Sequence, residues 1–393
     1  MDAYLFDWAN LLLRWLHVIT AIAWIGASFY FVWLDDSLTP PDDKALADKG
    51  VSGELWAVHG GGFYNPQKYR GAPPRMPEHL HWFYWEAYST WLSGFGLLTV
   101  LYLFNAGIFL IDKTVYDWSP AAAVAGVIGF LVAGWVVYDL LCRAVGERKN
   151  GDRIVGVLIA LYVVFATWLA CQLFAGRAAF LLTGAMIATI MSANVLMVII
   201  PGQRKVIASM RANEPVDPIH GQRGKQRSVH NTYFTLPVLV AMLSNHYGML
   251  YQQPHNWVVL VALMAAGALI RQYFVLRHKG VQHWAYPVAG VVLILALVGW
   301  MAPKPQPAVA APAAVSFAQV QAVVAQRCVL CHNATLASKN VRLDSPEAMA
   351  QHAGQMYQQA VVLKVMPLNN ATQITDEERA LIGAWFNAGA KTK

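Results

Sequence analysis

Near its C-terminus the chain reads 325-AQRCVLCHNA-334. Cys-x-x-Cys-His is the pattern to which haem is covalently attached in c-type cytochromes. Cys328 and Cys331 would form the two thioethers, and His332 would be the proximal iron ligand. The sixth ligand must come from further along. Met366, in 364-KVMPLNN-370, is the natural choice, a methionine in a proline-containing loop between the first and last helices of this tail. His352 is its competitor. His/Met ligation raises the haem potential and suits an electron acceptor. A zinc site would need further Cys or His ligands, and only His352 is near.

A second set of chemically capable residues lies in apolar sequence, where each polar side chain is a functional hypothesis. In 11-LLLRWLHVITAIAWIGASFYF-31, Arg14, His17, Ala21, Trp24 and Ser28 fall on one stripe of a helix of period 3.6. In 230-HNTYFTLPVLVAMLSNHYG-248, Asn231, Thr235, Leu239, Met242 and His246 share a face, and Pro237 removes a backbone hydrogen bond. His17 and His246 would lie at similar depth, about 12 and 8 Å below one membrane edge at 1.5 Å per residue. That is the arrangement of two ligands of a b-type haem, although each could equally hydrogen-bond a neighbouring helix.

The opposite side is richer. The stretch 62-GFYNPQKYRGAPPRMPEHLHWFYWEAYSTWLSGFG-96 carries Arg70, Arg75, His79, His81 and Glu86 among aromatics, with Trp82, Glu86, Ser89 and Ser93 forming a polar stripe. Arg223, Lys225, Arg227, His230 and Asn231 arrive at the same side from another loop. Arg and Asn beside aromatic rings suit a planar, hydrogen-bonding anion, and Glu86, His81 or His230 could act as general base. The candidate catalytic set is therefore Glu86, His81, His230, Asn231 and Arg75. An aromatic belt with topogenic charge would explain most of these residues, but not Glu86.

The elements that must position these groups are helices in a membrane. The chain is 57% hydrophobic and 13% charged, with a mean hydropathy of +0.39; soluble domains carry about 25% charged residues. Eight apolar segments reach spanning length, at 9–34, 82–111, 121–143, 154–173, 178–200, 233–251, 256–277 and 283–302. The net charge of +7 is not a nucleic-acid signature. Lys and Arg concentrate in alternate connections (35–81, 144–153, 201–232 and 278–282), which places those connections in the cytoplasm and both termini outside. Covalent haem attachment of this kind takes place outside the bacterial inner membrane, and so requires the same topology. The N-terminus lacks the basic start of a cleavable signal. Cys142 and Cys171 fall at opposite ends of two consecutive helices and are not expected to pair.

The fold expected is all-α: a polytopic bundle of about eight transmembrane helices (1–302), a Pro/Ala-rich linker (303–315) that favours an extended spacer, and a small α-helical cytochrome c domain in the periplasm (316–393). That domain opens with the helix SFAQVQAVVAQRC and closes with one started by a Thr375/Glu378 capping box.

The segments 75-RMPEHLHWFYWEAYSTWLSGFG-96, 228-SVHNTYFTLPVLVAMLSNHYG-248 and 14-RWLHVITAIAWIG-26, with the CxxCH tail, resemble the PuuD-type membrane urate oxidases of bacteria. The resemblance covers essentially the whole chain. It implies oxidation of urate to 5-hydroxyisourate, one covalent haem c at Cys328, Cys331 and His332, and electrons passed onward to a soluble or membrane cytochrome or a terminal oxidase, without release of peroxide. It assigns no catalytic residue. The two-electron oxidation strengthens the expectation of a second, b-type haem at His17 and His246. A substrate site at the cytoplasmic side would leave electrons most of a bilayer to cross. A site near Arg14, His17, Trp24 and His246, on the cytochrome side, is the alternative. Two other functions fit parts of the pattern: a quinol:cytochrome c reductase, which would want four well-placed histidines in helix pairs, and a haem- or metal-handling membrane protein.

Overall fold

The computed structural model describes residues 2–302, 315–338 and 341–392; the expected linker lies, but for its last residue, outside the described residues. The architecture is helical. The first helix, α1 (Asp2–Ser37), is followed by a short α2 (Lys44–Asp48) and by four short strands, β1 (Val51–Glu54), β2 (Ala57–His59), β3 (Gly62–Tyr64) and β4 (Gln67–Tyr69). These pair as two antiparallel ribbons, β1 with β4 and β2 with β3. Gly60 and Gly61, both at positive φ, make the two-residue turn of the inner hairpin. The strands were not expected; the glycines and aromatics of this stretch suit a hairpin better than a helix or an open loop.

α3 (Trp85–Leu98) continues through a π-helical turn (Thr99–Leu103) to a short α4 (Ala106–Phe109), so the second apolar segment is a broken helix rather than a continuous one. α5 (Pro120–Val145), capped by Ser119, and α6 (Gly151–Leu173) follow. α7 (Gly176–Ala193), a π-helical turn (Asn194–Ile199) and α8 (Ile200–Arg211) form one long rod. α9 (Pro218–Leu243) runs through Pro237 and ends in a 3-10 turn (Ser244–His246) and a short α10 (Gly248–Tyr251). α11 (Asn256–His278) and α12 (Ala285–Trp300) complete the membrane part.

The connection 201–232 is thus mostly helix. Asp217 accepts from the Ile219 N–H and Pro218 sits at the first helical position, while Lys, Arg and Gln are good helix formers. The basic residues that mark topology stand on these helical extensions. Among the described residues five helices are long and apolar enough to span: Tyr4–Ser37, Pro120–Val145, Gly151–Leu173, Gly176–Arg211 and Asn256–His278. The broken α3–α4 segment, the half-polar α9 and the shorter α12 bring the expected segments to eight.

α7 is the axis of the bundle and packs against α3, α5, α6 and α9; α1 lies on α3, and α11 joins α9 to α12. Lipid has no hydrophobic preference for one helix over another, so close contact rests on small residues. Gly184 of α7 meets Ala241 of α9 so closely that a β-carbon at 184 would stand 2.9 Å from the alanine methyl. The core runs through Tyr138, Phe174, Phe180, Leu182, Met186 and Leu260, all essentially inaccessible. Cys142 and Cys171 are buried free thiols.

The tail has its own core, formed by Val320, Val324, Met349, Ile382 and Trp385. It is built from α13 (Phe317–Arg327), α14 (Pro346–Gln351), α15 (Ala353–Met356), a π-helical turn (Tyr357–Val362), a 3-10 turn (Leu368–Asn370) and α16 (Asp376–Asn387). Capping boxes at Ser316/Gln319 and Thr375/Glu378 start its first and last helices. Arg327 of α13 grips both carboxylate oxygens of Glu378 on α16, at 3.0–3.2 Å.

Candidate functional site

In the tail, the backbone N–H groups of Cys331 and His332 both return to the Cys328 carbonyl, at 3.2 and 3.1 Å. The motif is therefore one tight turn that carries Cys328, Cys331 and His332. His332 Nδ1 lies 3.1 Å from the Val341 carbonyl. A backbone partner of this kind fixes the ring and leaves Nε2 as the free ligand atom. Met366 is half-buried, and its carbonyl accepts from Arg379 at 2.7 Å; Arg379 also donates to the Ala360 carbonyl. His352 instead sets its Nδ1 2.9 Å from Gln355 Oε1. Among the described residues no three His, Cys, Asp or Glu side chains converge as a metal-ion site. The donor set fits a covalently held haem.

The membrane part carries polar clusters at both ends. At the end away from the tail, a cleft of about 640 Å³ opens between α5, α6, α8 and α9. Its lining is basic, with Arg143, Arg148, Lys205, Arg223 and Lys225 prominent. On its floor Asp139 accepts from Arg227 at 2.7 Å and from Arg143 at 2.6 Å. Arg227 is 3% exposed, and its guanidinium lies 4.9 Å from the Tyr138 ring centre. Beneath the floor runs a chain of hydrogen bonds: His230 Nδ1 to the Tyr138 hydroxyl (2.8 Å), Asn194 Nδ2 to that hydroxyl (2.9 Å) and to Asn231 Oδ1 (2.9 Å), and Asn231 Nδ2 to the Met191 carbonyl (3.0 Å). His230 and Asn231 are joined through Tyr138 and Asn194.

Glu86, His81 and Arg75 are not part of this chain. Glu86 stands half-buried in the first turn of α3. His81 is exposed and edge-on to Phe83, and Arg75 is exposed. The rod formed by α7 and α8 separates the two groups: Ser192 donates to the Ala87 carbonyl and Val195 packs beside Ala87, whereas Asn194 faces α5 and α9.

His17 turns to α3, with Nδ1 3.0 Å from the Thr90 carbonyl and 3.2 Å from Ser93 Oγ. Its ring lies so close to Gly94 that a β-carbon there would fall 2.8 Å from Cε1. His246 is exposed in the turn beyond α9. The two histidines therefore have different surroundings, one against α3 and one at the end of the bundle.

The tail-facing end contains a cluster that the sequence did not single out. Tyr102, 3% exposed, donates to Asn245 Oδ1 at 2.9 Å. Arg177 Nε donates to the same oxygen at 3.2 Å, and its guanidinium carbon lies 6.0 Å from the Phe109 ring centre. Three local features aim these groups. The π-helical turn after α3 rotates Tyr102 inward, α9 ends one residue before the turn that holds Asn245, and the start of α7 is tied to the end of α4 by the Ala175 N–H to Leu110 carbonyl bond (2.9 Å). The tail docks over this end. Asn369 Nδ2 donates to the carbonyls of Ile108 (2.7 Å) and Phe109 (3.2 Å), and Val365 presses on Gly248.

Asp139 on the cleft floor, and Tyr138 and Asn194 beneath it, were also missed. Asp139, in 135-WVVYDLLCR-143, had a signal: it is a carboxylate within an apolar helix. Tyr102 and Asn245 are neutral residues 143 positions apart and had none.

A model of the family described as urate oxidase, N-terminal, matches residues 3–302. No curated protein and no solved structure matches the chain.

Proposed function

The chain belongs to the urate oxidase N-terminal family, and on that premise we propose that it is a membrane oxidoreductase that converts urate to 5-hydroxyisourate and delivers the electrons to a haem c on its own tail. Cys328, Cys331, His332 and Met366 are the residues that would hold the haem, the two cysteines by thioether bonds. When bound, the haem supplies a one-electron acceptor, used twice per substrate. The balance is urate plus water giving 5-hydroxyisourate, two protons and two electrons. C5 gains the water oxygen, the protons go to solvent, and the two electrons would be taken up one at a time by the haem that Cys328, Cys331, His332 and Met366 would hold. Oxygen takes no part, so no peroxide forms. A further cytochrome or a terminal oxidase reoxidises the haem.

One observation carries this reading: the loop that bears Met366 is seated on the membrane domain. Val365 and Asn369, on either side of the methionine, make the contacts to Gly248 and to the Ile108 and Phe109 carbonyls. A tail that served only another protein would have no reason to set its ligand loop there. The location that goes with this reading is the inner membrane, with the tail in the periplasm; it is supported by the basic cleft and the tail lying at opposite ends of the bundle, as the positive-inside rule requires.

The test is anaerobic. Purified, oxidised protein is mixed with urate and its visible spectrum recorded. Reduction of the c-type bands, with about two haems reduced per 5-hydroxyisourate formed, is the expected result. Haem that stays oxidised with urate but is reduced by a quinol would sink the proposal.

A further inference from the structure

We propose that the urate anion binds at the tail-facing end of the bundle, against Arg177, Asn245 and Tyr102, directly beneath the Met366 loop. This inference rests on the function proposed above and specifies where its substrate sits.

The hydrogen-bond directions define what the cluster can hold. An arginine N–H can only donate, so the Asn245 atom that faces Arg177 Nε and the Tyr102 hydroxyl must be the carbonyl oxygen. The Asn245 amide nitrogen then points elsewhere and donates to no acceptor among the described residues. Arg177 spends only Nε on Asn245. The guanidinium also reaches the Tyr102 side chain, and its remaining N–H donors meet no other protein group among the described residues, so they are open to a ligand. No carboxylate pairs with Arg177 among the described residues, in contrast to Arg227 and Arg327, which hold Asp139 and Glu378. Arg14, whose only side-chain partner among the described residues is Asn10 Oδ1 at 3.1 Å, adds a second positive charge near Tyr102. What remains is a set of N–H donors and net positive charge beside aromatic rings. It is complementary to a planar, acceptor-rich organic monoanion.

Position favours this end over the basic cleft. Asn245 precedes Gly248 by three residues, Gly248 touches Val365, and Val365 adjoins Met366. At about 3.8 Å per residue the separation of Asn245 from Met366 is bounded at roughly 20 Å. The cleft lies at the other end: Asp139 is 19 residues along α5, about 28 Å at 1.5 Å per residue. Electron tunnelling falls exponentially with distance. A substrate bound at the cleft would need a further centre to reach the haem, whereas one at Arg177 would not.

The experiment is anaerobic stopped-flow reduction of the haem over a range of urate concentrations, in the full-length protein and in Arg177→Gln, Arg177→Lys and Asn245→Asp. The half-saturating urate concentration should rise at least tenfold in Arg177→Gln, with partial recovery in Arg177→Lys. Asn245→Asp should have a similar effect, because the new carboxylate neutralises Arg177 and repels the anion. Haem content and reduction by ascorbate should be unchanged in all three. Should Arg177→Gln fail to fold, Asn245→Asp, which keeps the internal pairing, decides alone. An unaltered urate dependence in these variants, with the rise found instead in His230→Gln or Glu86→Gln, would overturn the assignment and move the site to the other end. A parent protein whose haem urate does not reduce would overturn the function itself, and this assignment with it.

Discussion

Gly248 lies so close to Val365 that a β-carbon at 248 would stand 2.6 Å from the valine Cγ1. The first residue opens the short α10 that follows α9, and the second precedes the proposed axial methionine. Their contact is therefore where the membrane domain and the tail meet. Gly248→Val should push the tail away and slow urate-driven haem reduction by an order of magnitude or more. The haem spectrum and its reduction by a small diffusible reductant should not change. Equal rates of urate-driven reduction in the variant and the parent would show that this contact is not the transfer interface.

Met366 is the proposed sixth ligand, and its loop is held by Arg379 from behind. Met366→Ala should leave the haem covalently attached but alter its visible spectrum and lower its potential, since loss of a thioether ligand favours the ferric state. Optical redox titration checks this. An unchanged spectrum would transfer the ligand role to another side chain, His352 first.

Asp139 is shared by two arginines, one of them almost wholly buried. Removing one partner of a buried pair leaves an uncompensated charge and costs about 3–5 kcal/mol. Asp139→Ala should accordingly show a clear loss of thermal stability in detergent. Arg143→Ala should do much less, because Arg143 is mostly exposed. Similar unfolding temperatures for the two variants would refute the ranking.

In the tail, the Glu378 carboxyl is subject to opposing influences. Burial raises its pKa, while the Arg327 guanidinium and the Thr375 N–H lower it, and the net effect is a value below the usual range. A carboxyl held low in the folded state stabilises the fold above its unfolded pKa of about 4.3. That stability is lost as pH falls through the lowered folded value. Tail unfolding, followed through the haem absorbance of the full chain, should be nearly independent of pH between 7 and about 5 and fall steeply in acid. Glu378→Gln should lower the plateau and flatten the fall. An identical pH profile in the variant would remove the Arg327–Glu378 pair from the account.

The closing helix of the tail begins at Thr375, whose hydroxyl accepts from the Glu378 N–H at 3.2 Å. Thr375→Ala should destabilise the tail by about 1 kcal/mol, read as a shift in the denaturant midpoint of haem absorbance. Thr375→Ser should be close to neutral.

Much of this protein was legible from sequence because the features concerned are local. Spanning segments are runs of apolar residues, capping boxes act over four residues, and Cys328, Cys331 and His332 occupy one turn. Local signals also had limits. The 201–232 stretch looked like a loop because it is polar, yet Asp217 and Pro218 start a helix that polar residues readily continue. The glycines of 51–69 concealed two hairpins. Position relative to other helices was beyond reach altogether. Glu86 and His230 appeared to converge because both are polar and lie at one membrane depth, and depth says nothing about angle around the bundle. The rod of α7 and α8 stands between them. Tyr102, Arg177 and Asn245 are scattered, unremarkable residues until a π-helical turn, a helix start and a helix end bring them to one point below Met366. The period of apolar residues determined which segments cross the membrane; only the packing of those helices around α7 decided which polar groups share a site and which of them faces the tail.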